Sequence, residues 1–252
     1  MAYRPGMERV AVFGASSAIA AEVAHLYARR GARLHLIGRN DAKLAATAGR
    51  CAGAEVTTEV ADFARLDENA SVVERAVAKL GRIDVAIIAH GDLGDQLASE
   101  RSFDDAEPIL RVNFTSAVSL LIPIANHMDA VRAGRIGVMT SVAGDRGRPR
   151  NYTYGAAKGA LGIYLQGVRT RLHSRRVSVT TLKLGPVDTP MTRDHAKHAL
   201  FGRPDAVARG IVRAVDARTA EAYVPSFWGA IMPIVRNTPE RIFQVLPFLS
   251  GR

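Results

Sequence analysis

The chain has 252 residues, 48% of them hydrophobic and 23% charged, with a single cysteine and a formal net charge of +10. The length favours one large α/β domain, and a core of this size needs neither a disulfide nor a metal to stabilise it. A single cysteine excludes an intramolecular disulfide and is typical of a reducing compartment. No helix-turn-helix pattern, zinc spacing or RNP signature accompanies the positive charge, so we expect no nucleic-acid partner.

The N-terminus lacks an apolar segment followed by a cleavage site, and no uninterrupted run of 18 apolar residues occurs in the chain. These patterns predict neither a signal peptide nor a membrane span. We therefore expect a cytoplasmic location.

Short apolar runs alternate with longer amphipathic segments along the chain. The apolar runs predict strands at 10–13, 34–37, 54–59, 85–89, 134–140, 177–183 and 222–224. The amphipathic segments predict helices at 18–30, 41–50, 67–80, about 103–128, 152–173 and 204–217. This alternation is typical of right-handed βαβ units. We predict an α/β domain over residues 1–225, a single Rossmann-like, doubly wound parallel sheet with helices on both faces.

The first connection between strand and helix predicts a phosphate-binding turn. Gly14, Ser16, Ser17 and Ile19 lie where backbone N–H groups of a parallel α/β sheet bind the pyrophosphate of a dinucleotide. The segment has one glycine where the full fingerprint has three, so a plain tight turn of small residues is the alternative.

The end of the second predicted strand indicates which dinucleotide binds. The sequence Gly38-Arg39-Asn40 lacks the acidic residue that would bind the ribose 2′-hydroxyl of NAD. Arg39 is suited to pair with a 2′-phosphate, which favours NADP(H) over NAD. A solvated loop arginine is the alternative.

Three polar residues predict acid–base chemistry. Tyr154 and Lys158 are four residues apart at the start of a predicted helix, so they share one face of it. A nearby ammonium favours the tyrosinate, so we expect Lys158 to lower the pKa of Tyr154. Ser141 follows the fifth predicted strand, where its hydroxyl can donate a hydrogen bond to a carbonyl oxygen that gains charge.

With these motifs the chain resembles the short-chain dehydrogenase/reductase family over roughly residues 8–225. The resemblance rests on Tyr154-x-x-x-Lys158, Ser141, Val112-Asn113-Phe114, the Gly14 turn and Leu184-Gly185-Pro186-Val187-Asp188-Thr189. It implies an oxidoreductase that transfers a hydride between a nicotinamide cofactor and a carbonyl carbon. It also implies a homo-oligomer, a dimer or a tetramer, and no metal site.

The resemblance assigns roles to individual residues. It implies that Tyr154 is the acid/base, that Lys158 also holds the nicotinamide ribose, and that Ser141 orients the substrate oxygen. It implies that Asn113 lies at a helix distortion and supports a water-linked proton path to Lys158, and that Asp62 contacts adenine. The predicted cofactor contacts are Gly14, Ser16, Ser17, Ile19, Arg39, Asp62, Phe63, His90, Gly91, Tyr154, Lys158, Val187 and Thr189.

Three stretches depart from the family's pattern. The glycine turn carries Ala18 and Ala20 at its later positions. Ile88-Ala89-His90-Gly91 replaces the usual Asn-Asn-Ala-Gly after the fourth strand, and Leu184 replaces the proline after the sixth. We interpret His90 as a residue beside the adenosine half of the cofactor rather than as a catalytic histidine. Val187 and Thr189 are expected to contact the nicotinamide carboxamide and the nearby phosphate.

Two features indicate the kind of substrate. Arg146, Arg148 and Arg150 lie between the predicted catalytic serine and tyrosine, where they can pair with a phosphate; a solvated basic loop is the alternative. The extension 226–252 is apolar and aromatic but interrupted by prolines. Its composition fits a lid, a dimer contact or a segment at the membrane interface.

These features resemble the branch of the family that contains the decaprenylphosphoryl-2-keto-ribose reductases. The matching stretches are Ala143-Gly144-Asp145-Arg146, His90-Gly91-Asp92-Leu93-Gly94-Asp95 and Arg241-Ile242-Phe243. The resemblance implies a keto-sugar on a lipid phosphate as substrate and contact with the membrane surface. The alternatives are a reductase of a small ketone or acyl substrate, a nucleotide-binding protein without turnover, and a peripheral membrane scaffold.

Overall fold

The computed structural model describes residues 7–193 and 200–246, and one parallel sheet lies at its centre. The strands are β1 (Arg9–Phe13), β2 (Arg33–Gly38), β3 (Val56–Val60), β4 (Val85–Ile88), β5 (Gly134–Ser141), β6 (Val177–Leu184) and β7 (Glu221–Val224). Their order is β3-β2-β1-β4-β5-β6-β7, and all neighbours run parallel. The predicted fold class is confirmed. The third strand begins two residues later than predicted because Gly53, at φ +91°, still belongs to the preceding turn.

Helices cover both faces of the sheet. They are α1 (Ala18–Ala28), α2 (Asp41–Arg50), α3 (Asn69–Leu80), α4 (Gln96–Ser99), α5 (Phe103–Leu110), α6 (Ser116–Val131), α7 (Tyr152–Leu172), α8 (Pro204–Asp216), α9 (Trp228–Asn237) and α10 (Glu240–Val245). The sequence pattern did not predict α4, α9 or α10. Helix α9 continues through Pro233 because Met232 and Val235 pack against the rest of the protein on either side of it.

The side chains of β1 alternate between two cores. Val10 and Val12 belong to the core under α1 and α8, whereas Ala11 and Phe13 belong to the core under α3, α6 and α7. All four are fully buried. A strand buried on both faces has the near-continuous apolar sequence of a central parallel strand, and its carboxyl end is held rigidly.

Helices α5 and α6 form one continuous stretch with a π-helical turn at Arg111–Thr115 between them. The segment Phe103–Val131 is long and apolar enough to cross a membrane, but Leu120 and Ile124 are fully buried in the core on the sheet. We therefore assign it as a core helix. The π-helical turn turns Asn113 inward, so the distortion predicted at that residue is confirmed.

The C-terminal extension folds back onto the domain. Trp228, Met232 and Phe243 form a small buried cluster with Val142, the residue that follows β5. Helices α9 and α10 thus lie against the loop that joins β5 to α7. Residues 247–252 of the predicted extension lie outside the described residues.

Candidate functional site

A cleft of about 1050 Å³ lies at the carboxyl ends of the strands. It includes the point between β1 and β4 where the strand order reverses, and it extends past the end of β5. Ligands of parallel α/β sheets bind at this edge. Every predicted cofactor contact lines the cleft, as do the predicted catalytic residues except Asn113, which is buried behind the wall.

The turn at Gly14 brings two backbone segments into contact. Gly14 has φ +93°, and a Cβ added to it would lie 2.5 Å from the backbone nitrogen of His90. The N–H groups of Gly14 and Ala15 both donate to the Ile37 carbonyl, at 2.8 and 2.9 Å. Only glycine fits this position, because any side chain would overlap the end of β4.

The next residues start α1 beside the cleft. Ser17 is the N-cap, and its hydroxyl accepts a hydrogen bond from Ala20 N–H at 3.1 Å. The Ser16 hydroxyl is buried and has no hydrogen-bond partner within the described part of the chain. Ile19 adds an apolar contact to the same wall. A buried polar atom without a partner at a helix N-terminus fits an anionic ligand such as a pyrophosphate.

Two basic residues line the cleft beyond β2. Arg39 is exposed at the end of the strand, and Lys43 lies one turn into α2. The neighbouring acidic residue, Asp41, is not part of the cleft wall. Across residues 7–193 and 200–246 no carboxylate forms an ion pair with Arg39. Lys43 was missed from the sequence because no motif marks it, and Arg39 precedes α2, so helical spacing does not relate the two residues.

Asp62 and Phe63 follow β3 and differ in exposure. Asp62 is exposed, and its carboxylate accepts a hydrogen bond from Ala64 N–H at 3.0 Å. Phe63 is buried, with its ring centroid 4.8 Å from that of His90. Phe63 therefore supports the cleft from the core, while Asp62 lies at its surface.

His90 has one satisfied and one unsatisfied ring nitrogen. The Ser116 hydroxyl donates to the Val112 carbonyl at 2.7 Å, so it accepts from His90 Nε2–H, also at 2.7 Å. The Nδ1 atom is then a buried acceptor with no partner in the described chain. Burial, and to a smaller extent Lys158, lowers the pKa of His90 to about 3. A permanently neutral ring suits an acceptor that contacts a ligand, not a general acid at neutral pH.

Ser141 and Tyr154 meet at the end of β5. The Ser141 hydroxyl accepts from Ala143 N–H at 3.1 Å, which fixes it at the start of the following turn. Burial raises the pKa of Tyr154 to about 12, and a hydrogen bond with Ser141 acts in the opposite direction. The expectation that Lys158 lowers the pKa of Tyr154 below its usual value is thus wrong for this structure, because desolvation is the larger effect.

Lys158 lies one turn after Tyr154 on α7. Its ammonium is 5.7 Å from the centre of the Tyr154 ring and donates to the Met139 carbonyl at 3.2 Å. Burial lowers the pKa of Lys158 to about 8. The side chain therefore changes charge close to physiological pH.

Asn113 and Lys158 meet at Gly91. A Cβ on Gly91 would lie 2.8 Å from Asn113 Oδ1 and 3.2 Å from Lys158 Nζ. The Asn113 amide donates to the carbonyls of Asp92 and Ile109, at 2.6 and 2.8 Å. These bonds hold Asn113 immediately behind the ammonium, and Gly91 leaves room for both side chains.

Val187 and Thr189 line the cleft after β6. The Thr192 hydroxyl donates to the Val187 carbonyl at 2.6 Å and accepts from Thr189 N–H at 3.2 Å, which holds this turn in place. Both predicted residues therefore line the same cleft as Tyr154. The described chain stops at residue 193 and resumes at residue 200.

These features fit a nicotinamide dinucleotide. The Gly14 turn leaves the space that a side chain would fill, Ser16 supplies an unpartnered buried hydroxyl, and Arg39 supplies a free cation. The sequence itself matches the family model for short chain dehydrogenase over residues 8–199. This chain belongs to the short chain dehydrogenase family.

Relatives of the chain include other members of the family. An uncharacterized oxidoreductase of Mycobacterium tuberculosis (strain ATCC 25618 / H37Rv) is 33% identical over 245 residues, which is 96% of this chain and 98% of that protein. Another uncharacterized oxidoreductase, from Streptomyces coelicolor, is 31% identical over 240 residues, or 93% and 94% of the two chains. The chain is therefore an oxidoreductase of the short chain dehydrogenase family.

Among solved structures, that of ElxO with NADP bound superposes on this chain with a TM-score of 0.77 and 18% sequence identity. The match covers 86% of this chain and 97% of the ElxO chain. Identity this low shows the shared fold alone. The fold and the family together place this chain among enzymes that bind a nicotinamide cofactor.

In this family member, Arg146 binds the C-terminal extension instead of lining the cleft. Its guanidinium donates to the Val235 carbonyl at 2.7 Å and to the Thr238 carbonyl, and forms an ion pair with Glu240 at 2.7 Å. It also lies 3.8 Å from the centre of the Phe243 ring. Arg146 therefore neither binds a phosphate in the cleft nor belongs to a solvated loop, because residues between Val235 and Glu240 of the extension supply all these acceptors.

Arg148, Arg150 and Trp228 line the same cleft as Tyr154. The Trp228 indole packs against Gly185, where a Cβ would overlap it. Trp228 was missed as a site residue because it is remote in sequence from every motif. No local pattern could have indicated it.

Proposed function

We propose that this member of the family transfers a hydride between NADP(H) and a ketone or secondary alcohol, with Tyr154 as acid/base. The observation that carries the proposal is the juxtaposition of Ser141, Tyr154 and Lys158 in one cleft with the Gly14 turn. A nucleotide-binding protein without turnover would have no need of an intact acid–base set beside the cofactor turn.

The proton chemistry follows from the pKa values. Tyr154, with a pKa of about 12, stays protonated at neutral pH and donates its proton to the carbonyl oxygen in the direction of reduction. Ser141 donates a hydrogen bond to the same oxygen as negative charge develops on it. When bound, the nicotinamide cofactor supplies the hydride for reduction or accepts it in oxidation.

Lys158 and Asn113 restore the proton. The Lys158 side chain is a charged donor below its pKa of about 8, and its Nζ lies 5.7 Å from the centre of the Tyr154 ring. Asn113 holds the adjacent backbone at Asp92 through two hydrogen bonds, at 2.6 and 3.1 Å. We propose that the Lys158 ammonium passes a proton to the Tyr154 phenolate after each reduction.

The preference for NADP(H) is supported by Arg39 and Lys43 at the adenosine end of the cleft. Two exposed cations that form no ion pair with a described carboxylate suit a 2′-phosphate better than a ribose hydroxyl. The structural neighbour ElxO has NADP bound. NAD would leave this charge uncompensated.

For the substrate we propose a ketone carried on a sugar, with a keto-sugar on a lipid phosphate as the finer candidate. Support comes from the resemblance to the keto-ribose reductase branch and from the two arginines next to Tyr154. A small neutral ketone is the alternative, and it would make no use of those arginines.

Steady-state oxidation of NADPH and NADH with a panel of ketones tests the proposal. We expect KM for NADPH to lie well below that for NADH, and Arg39→Ala to raise KM for NADPH about 10- to 100-fold through loss of a charge-assisted hydrogen bond. Arg101→Ala is the matched control, because Arg101 is exposed and lies outside the cleft wall. A preference for NADH that Arg39→Ala leaves unchanged would refute the cofactor assignment.

A further inference from the structure

The cleft wall carries an excess of positive charge. Its basic residues are Arg39, Lys43, Arg148, Arg150 and Lys158, and its acidic residues are Asp62 and Asp92. Arg39 and Lys43 lie at the adenosine end and Lys158 at the catalytic tyrosine. Arg148 and Arg150 are therefore the two cations that the cofactor and the acid–base chemistry leave unused.

The carboxylates near these two arginines already have other partners. Asp145 forms an ion pair with Lys183 at 2.9 Å and accepts from the Tyr223 hydroxyl at 2.6 Å. Glu240 is paired with Arg146. Within the described residues no carboxylate lies within ion-pair distance of Arg148 or Arg150.

Arg148 is a partly buried cation with unsatisfied donors. Its Nε–H is buried without an acceptor, and the only hydrogen bond described for its side chain is a long one from the guanidinium to Met232 Sδ at 3.8 Å. Burial and, to a smaller extent, the neighbouring charge of Arg150 lower the pKa of Arg148, while the Asp145 carboxylate acts more weakly in the opposite direction. A buried cation of this kind costs free energy unless an anion binds to it.

The surroundings of Arg148 fit a polar ligand. The side-chain oxygen of Asn151, which also lines the cleft, is buried and has no donor in the described part of the chain. Trp228, which is 6% exposed, also lines the cleft, and its indole N–H is buried without a partner in the described residues. An anion-binding guanidinium, a free acceptor and an indole N–H donor are the groups that bind a charged, hydroxyl-bearing ligand.

We propose that Arg148 and Arg150 form a subsite for an oxyanion, a phosphate or a carboxylate, carried by the carbonyl substrate, with Arg148 as the main specificity residue. The inference rests on the proposed function in one respect: the proposed function places a carbonyl compound beside Tyr154. Arg146 is a positioning residue for this subsite, since it fixes the same loop to α9 and α10.

Paired substrates test the subsite by activity. NADPH oxidation is measured with D-ribulose 5-phosphate against D-ribulose, and with levulinate against methyl levulinate, to separate phosphate from carboxylate. We expect kcat/KM to be at least about tenfold higher for the anionic member of one pair, and Arg148→Gln to reduce that ratio about 10- to 100-fold. Arg101→Gln, which removes the same charge outside the cleft, should leave the ratio unchanged. A wild-type ratio near one, or a ratio that survives Arg148→Gln, overturns the proposal.

Binding can be tested without turnover, because Trp228 is the only tryptophan of the chain. Ribose 5-phosphate and ribose are titrated against tryptophan fluorescence at saturating NADP⁺, which fills the cofactor's own phosphate sites. We expect saturable binding of the phosphate, about tenfold or more weaker in Arg148→Gln and partly restored in Arg148→Lys. If this holds while no ketone is reduced, the catalytic proposal fails and the subsite stands. Equal affinity of wild type and Arg148→Gln for ribose 5-phosphate overturns the subsite, even in an active enzyme.

Discussion

The two ends of the cleft are built differently. At the cofactor end, the turn at Gly14 is fixed by backbone hydrogen bonds to Ile37 and by the Ser17 cap, all within a few residues of β1 and β2. At the substrate end, the loop after Ser141 is held by Arg146, whose partners lie about 90 residues later in the chain. One end depends on local backbone geometry and the other on long-range side-chain contacts.

This difference predicts how substitutions at each end of the cleft affect the stability of the domain. A change at the cofactor end strains the backbone of the central strands, so it should destabilise the whole domain. A change at the substrate end releases a loop and two short helices, and the sheet should stay intact. Specificity can thus vary at one end of the cleft while the cofactor turn stays constant.

The largest expected effect comes from Tyr154, where the two ends meet. Tyr154→Phe removes the proton donor and should lower kcat by about 10²–10⁴-fold, since Tyr154 is the only tyrosine among the described residues that line the cleft. The dissociation constant of NADPH and the melting temperature should change little. Single-turnover NADPH oxidation with the best ketone measures the loss, and full turnover in the variant would contradict the mechanism.

A substitution at Gly14 tests the rigid end. Gly14→Ala places a Cβ against the backbone of His90 at positive φ, which should lower the free energy of unfolding by about 2–4 kcal/mol. Urea unfolding measures the loss. The matched control is Gly147→Ala in the substrate loop, where the space around the Cβ is open, and its effect should stay within about 0.5 kcal/mol. Similar losses in both variants would remove the contrast between the two ends.

The complementary test at the substrate end is Arg146→Gln. It removes the ion pair with Glu240 and the hydrogen bonds to the end of α9, and should weaken the attachment of the extension by about 1–3 kcal/mol. Hydrogen exchange should become faster over 228–245 and unchanged in β1. If exchange rises equally in β1, the extension is part of one cooperative unit with the sheet and the comparison fails.

The smallest effect is a pH dependence through Lys158. Burial lowers its pKa to about 8, so the ammonium needed for reduction is present below that pH and is lost above it. We expect kcat/KM for ketone reduction to be level below about pH 8 and to fall at higher pH. The arginine of the Lys158→Arg variant stays charged over this pH range. The variant should be less active, and its kcat/KM should no longer fall above about pH 8. If the variant kept the same decrease in kcat/KM above about pH 8, that decrease would come from another titrating group.

Much of the site was predictable because its chemistry is encoded locally. The spacing of Tyr154 and Lys158, the small residues from Gly14 to Ser17 and the absence of an acid before Arg39 can be read without knowing any contact. The sequence did not indicate the helices of the extension, because Pro233 interrupts the pattern that normally marks a helix. It also did not predict the raised pKa of Tyr154, since burial depends on residues from several strands.

The arginine loop shows the limit most clearly. In the sequence, Arg146, Arg148 and Arg150 are three equivalent cations, and periodicity assigns all of them to the loop between β5 and α7. The tertiary structure separates them, because Arg146 meets carbonyls and Glu240 on the folded-back extension while Arg148 and Arg150 meet the cleft. The sequence by itself therefore determined the fold and the family, and it predicted an acid–base set because the spacing of those residues is local. Only the tertiary structure decided which cations bind the protein and which remain for a ligand, because that depends on acceptors distant in the chain.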